Sequence, residues 1–144
     1  MKKLLWILIV IGCTSSPTET IDDDYYVRFV KSVDSLSLIR NVQTFKPLAL
    51  ETNLPDQTKV IWESDIWVKV RVGVDSSYIT NRLVINWPFV DTVTTVNCCS
   101  YTHKGFARSV FGAFEMMRGQ TATIIASTKV NGRMLADTVK VVMY

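Results

Sequence analysis

The sequence predicts an all-β domain, an antiparallel sandwich of about seven to nine short strands. Three observations predict it. Residues 66–72 alternate strictly between apolar and polar or bulky side chains, the period of a half-buried strand. Two alternating runs near the end of the chain are joined by Asn131-Gly132, a dipeptide suited to the positive φ angles of a tight hairpin. Turn chemistry recurs at short intervals between runs of β-branched and aromatic residues, as at Asn53-Leu54-Pro55-Asp56 and Asp75-Ser76-Ser77.

Taken in order, the strand character begins at Tyr25, where Tyr25, Val27 and Phe29 alternate with Tyr26, Arg28 and Val30. Between Asp34 and Gln43, the residues Leu36, Leu38, Ile39 and Val42 fit either a strand or a helical turn, and the pattern does not choose. Phe45 to Leu50 reads as a short extended segment that Pro47 restricts to a sheet edge or a strand start. Lys59 to Trp62 leads into the clearest strand, with Ile66, Val68, Val70 and Val72 on one face and Trp67, Lys69 and Arg71 on the other. Tyr78 to Trp87 returns with Leu83 and Ile85 inward, and Pro88 closes it. Val90 to Asn97 is rich in Thr and Val and strand-like.

Gly105 to Met117 breaks the rhythm. Phe106, Val110, Phe114 and Met117 recur at helical spacing, so a short helix connecting two strands is the preferred reading over a further strand. The final hairpin then places Ala122, Ile124 and Ala126 inward on one arm and Leu135, Val139, Val141 and Met143 on the other. Trp62 and Trp87 are expected in the core. A small lipocalin-like β-barrel is the alternative fold, although a connecting helix before the last hairpin suits it less well.

Where this domain works is read from the first residues, MKKLLWILIVIGC. Lys2 and Lys3 precede a short apolar run, Leu4 to Ile11, which is far below the roughly 20 residues of a membrane-spanning helix and has the order of an export signal. Val10-Ile11-Gly12-Cys13 resembles the lipobox of bacterial lipoproteins. The resemblance implies removal of residues 1–12, a diacylglycerol on the Cys13 sulfur and an acyl chain on its new amino terminus. Residues 13–24 then form a polar tether containing Pro17, and residues 25–144 form the domain. In such lipoproteins Asp after the cysteine retains the protein in the inner membrane. Thr14 therefore implies outer-membrane sorting. The run Asp22-Asp23-Asp24 is similar to the surface-export signal of Bacteroidetes-type lipoproteins, displaced from the cysteine by several residues, so display at the surface is favoured over the periplasmic face.

A second resemblance covers Trp62 and the last quarter of the chain, GQTATIIASTKVNGRMLADTVKVVMY, which is similar to the closing strands of bacterial immunoglobulin-like modules. It implies an immunoglobulin-like form of the sandwich.

The totals exclude several function classes. The formal charge is +3, but 16 Lys and Arg, less Lys2 and Lys3, against 13 acidic residues leave the mature chain near +1. Its basic residues are scattered, which argues against nucleic acid. With Cys13 lipidated, only Cys98 and Cys99 remain; either they form a vicinal disulfide, or, as the preferred reading, one is buried and the other lies at a turn or edge. A single His and one Cys pair cannot assemble a four-ligand zinc site of the usual spacing, so no metal and no cofactor beyond the lipid is expected.

Candidate chemistry is sparse. His103, the only histidine, lies near Ser100 in a polar stretch, and Glu63 and Asp65 flank Ser64. Loop and turn roles are the expectation for all of them. Trp67, Lys69 and Arg71 share one strand face and are the candidate binding residues, since a flat ring flanked by cations can anchor a protein or stack on a sugar. Packing of Trp67 beneath the Lys and Arg stems or against the connecting helix is the preferred reading, ahead of binding. The expected function is a non-enzymatic, lipid-anchored protein-binding or structural accessory subunit that docks on an outer-membrane protein or lipoprotein. The alternative is a surface glycan-binding lipoprotein, and the third reading is a hydrolase-like enzyme using His103.

Overall fold

Alternation in the sequence becomes two packed sheets in the computed structural model, which describes residues 24–71, 77–85, 95–96 and 98–144. The fold is all-β, a sandwich of a three-stranded and a six-stranded sheet. β1 (Val27–Phe29), β3 (Thr44–Thr52) and β9 (Phe106–Ala113) form the smaller sheet with β3 in the middle, both pairings antiparallel. The larger runs in the order β2 (Val33–Leu36), β11 (Arg133–Met143), β10 (Thr121–Val130), β4 (Lys59–Arg71), β5 (Ser77–Arg82), and β8 (Cys99–Tyr101) pairs with the start of β4. β2 lies parallel to β11; the other pairings of this sheet are antiparallel. β6 (Val84–Ile85) and β7 (Thr95–Val96) make a separate two-stranded ladder.

The core lies between the facing sheets. Trp62 is fully buried on β4, and its ring meets Phe29 of the opposite sheet edge to face, with centroids 5.9 Å apart. Around them close Leu50 and Phe111 from the small sheet and Val60, Ile124, Val141 and Met143 from the large one. Polar straps also tie the sheets together. The Phe29 N–H donates to Asp137 Oδ2 at 2.7 Å, and Lys46 on β3 pairs with Asp34 on β2 at 2.8 Å.

The hairpin at Asn131-Gly132 forms as expected, with φ of 49° and 80° at the two residues and Val130 opposite Arg133. Ala122, Ile124, Ala126, Val139, Val141 and Met143 all point inward, whereas Leu135 is only half-buried. Ile66 and Val68 are half-buried and Leu83 is buried, again on the expected faces.

Two expectations are corrected. Residues 106–113 are strand β9, not helix; only Glu115–Met117 forms a single turn of 3₁₀ helix. The inward positions of β9 are Ala107, Ser109, Phe111 and Ala113, so small side chains muted the period of two while Phe106 and Val110 imitated a helical stripe. Pro47 lies within nine-residue β3 rather than at the start of a short edge segment. The Thr52 N–H faces β9, donating to Gly105 O at 3.0 Å, and successive N–H groups alternate sides, so the Pro47 nitrogen faces the side where β1 covers only Leu50 to Thr52. No ladder bond is lost there.

The signal at 1–12, Cys13 and the tether up to residue 23 lie outside the described residues, as do Val72, the Asp75-Ser76 turn, Trp87, Pro88 and residues 90–94.

Candidate functional site

The site begins with an irregularity in β4. Opposite β5, Glu63 pairs with Arg82 but Val68 pairs with Thr80, so β4 carries extra residues between those two points. Ser64 holds the bulge: its hydroxyl donates to the Ile66 carbonyl at 3.0 Å and accepts the Ile66 N–H at 3.2 Å. Below the bulge Trp62 seals the core. Beyond it, the sheets leave an open cleft of about 490 Å³.

Ile66, Val68 and Leu83 form one wall of the cleft, Phe111 and Met117 part of the other. Trp67 and Met116 also line it, 64% and 84% exposed, large apolar surfaces held in water. Among the described residues its charged lining is Lys69, exposed, and Arg82, half-buried, with no carboxylate. Gln43 lines it too. That side chain is 6% exposed, and its Oε1 is buried without a hydrogen-bond partner. Gly112 makes room for its carboxamide, for a Cβ there would lie 2.6 Å from Gln43 Nε2.

Two of the three expected binding residues, Trp67 and Lys69, therefore meet at this cleft. Arg71 continues β4, and its side chain lies outside the described features. Trp67 is 64% exposed and shares the cleft with Met116 and Met117 of the 3₁₀ turn. Sequence reading missed Gln43, Phe111, Gly112, Met116 and Met117 as cleft residues. The signal available was Gly112 inside a strand-length run, a mark of close approach by another group.

The remaining candidates are dispersed. His103 Nδ1 lies 3.3 Å from Asp56 Oδ2 on the surface, at the end of the sandwich where β9 begins. Ser100 Oγ accepts the Trp62 indole N–H at 2.8 Å, and no hydrogen bond joins it to His103. Glu63 and Asp65 lie within strand β4 and not in a turn, and Asp65 accepts the Thr123 N–H at 2.9 Å, which caps the end of the β4–β10 ladder. Among the described residues no group of three His, Cys, Asp or Glu side chains is placed to hold a metal ion. The sulfurs of Cys98 and Cys99 lie against each other, and both residues are half-buried.

No protein-family model and no curated protein matches the chain.

Proposed function

We propose that this chain is a lipid-anchored lipoprotein of the bacterial outer membrane whose immunoglobulin-like sandwich serves as a non-enzymatic protein-binding accessory subunit. The open apolar cleft carries this reading. A solvent-facing tryptophan and methionine beside a hollow are the composition of a protein contact, because flat and polarizable side chains give large burial for few frozen torsions. Sugar binding is the second reading, favoured by the exposed Trp67 ring, with Gln43, Lys69 and Arg82 beside it to meet sugar hydroxyls.

The immunoglobulin-like form is supported by strand order. β1-β3-β9 against β2-β11-β10-β4-β5 resembles an arrangement in which the first two strands lie in different sheets and the last two follow one another outward from the strand bearing the buried tryptophan.

The anchor and the cleft would lie at opposite ends. Asp24 is tied to the β3–β4 turn, where Asn53 Nδ2 donates to its carbonyl at 3.1 Å and Asn53 Oδ1 accepts the Tyr26 N–H at 2.8 Å. Gln43 sits at the other end of β3, about 30 Å away at strand rise. A tether lipidated at Cys13 would thus hold the cleft outward from the bilayer.

Native gel migration of the protein from gently solubilised envelopes tests the proposal. The wild type is expected to run in a larger assembly, and Trp67→Ser with Met116→Ser to run alone while staying in the membrane fraction. Cys13→Ser is expected to leave that fraction. Unchanged migration of the cleft variant would remove the protein-binding reading, and unchanged partition of Cys13→Ser would remove the anchor.

A further inference from the structure

We infer that the cleft seats one aromatic side chain of a partner protein, a tryptophan or tyrosine that brings a donor to Gln43 and stands beside an acidic residue facing Lys69 and Arg82. This rests on the protein-binding reading above and adds the chemistry of the contact. Gln43 is the first support. Its buried carbonyl oxygen has no hydrogen-bond partner among the described residues, and a donor carried by a partner would satisfy it. The loss of water from that oxygen has already been met in folding, so a donor arriving with a ligand returns its hydrogen bond with little further desolvation of Gln43. The last torsion of a glutamine is soft, which lets the carboxamide turn toward the donor.

Size and lining are the second support. A volume of about 490 Å³ suits a single large side chain with its neighbouring backbone. Phe111 and the flexible thioethers of Met116 and Met117 adapt to a flat ring. Charge is the third. Both charged lining residues among those described are cations, so the complementary segment is acidic. A saturated acyl chain would fill the hollow but leave the Gln43 oxygen unmet. A phenylalanine would do the same, which makes the ring N–H or O–H the discriminating feature.

The test uses the full-length protein in detergent and three nine-residue peptides that differ at two central positions: Trp-Glu, Phe-Glu and Trp-Lys. Binding is measured by calorimetry, with a β-linked glucose hexasaccharide as a fourth probe. The Trp-Glu peptide is expected to bind about tenfold tighter than either other peptide. Gln43→Leu is expected to bring the Trp to Phe ratio close to one. Lys69→Glu with Arg82→Glu, both on the cleft and outside the core, is expected to reverse the Glu to Lys preference. Equal binding of the Trp and Phe peptides to the wild type would overturn the donor to Gln43 and leave the protein-binding reading standing. Binding of the hexasaccharide with no peptide bound would overturn both.

Discussion

Gln43 and Gly112 occupy one space: a Cβ on Gly112 would stand 2.6 Å from Gln43 Nε2 and 3.3 Å from the Phe45 ring. The glycine thus lets β9 carry a buried amide against its backbone at the wall of the cleft. Gly112→Ala is expected to lower stability by about 1 kcal/mol, because the carboxamide must give way in a packed site. In a Gln43→Ala background the same change is expected to raise stability by about 0.5 kcal/mol, the ordinary gain of alanine over glycine in a strand. Urea unfolding of the four proteins of this cycle measures both terms. Additive effects would mean that the two residues do not share the space.

Ser100 is expected to act through Trp62 and not as a nucleophile. Its hydroxyl is the acceptor for an indole that is otherwise fully enclosed. Ser100→Ala leaves that N–H without a partner and is expected to cost about 1–2 kcal/mol. Trp62→Ala should cost about 3–5 kcal/mol through the void it opens. Thermal unfolding of the two variants and of His103→Ala orders them. The surface variant His103→Ala should lie within about 0.5 kcal/mol of the wild type.

Acid sensitivity is expected to trace in part to Asp34. The hydrogen bond from Lys46, together with the Ser35 N–H at 2.8 Å, holds its carboxyl below the usual aspartate range. A carboxylate lowered on folding stabilises the protein above its unfolded value and loses that contribution as pH falls through its folded value. The strap between sheets should therefore weaken below about pH 4, the unfolded range for an aspartate. Both side chains are nearly a quarter exposed, so the effect at neutral pH should be about 0.5–1 kcal/mol. Asp34→Asn should flatten the acid limb of a stability-against-pH curve. An unaltered limb would assign the acid loss to other groups.

Much of the sandwich was legible because local signals survive in single stretches. Asn131-Gly132 specifies its turn through backbone chirality, and Trp62 through Ile66 and Val68 mark one face of β4 whatever packs against it. β9 was not legible, since its inward face is mostly alanine and serine; hydrophobic period carries little weight when the packing demands small side chains. Trp67 and Lys69 were found as a pair on one strand. The cleft they belong to was hidden, for it joins Gln43, Arg82 and Phe111–Met117, groups brought together only when the sheets stack and β4 bulges at Ser64.

A photo-reactive side chain placed at Met116 in intact cells tests the central claim most directly, with Met134 as the control. Both positions are exposed, 84% and 63%, but only the first lines the cleft. The expected result is one discrete cross-linked envelope protein from position 116, lost on Trp67→Ser, and none from position 134. Cross-links of equal yield from both positions, or none from position 116, would contradict it.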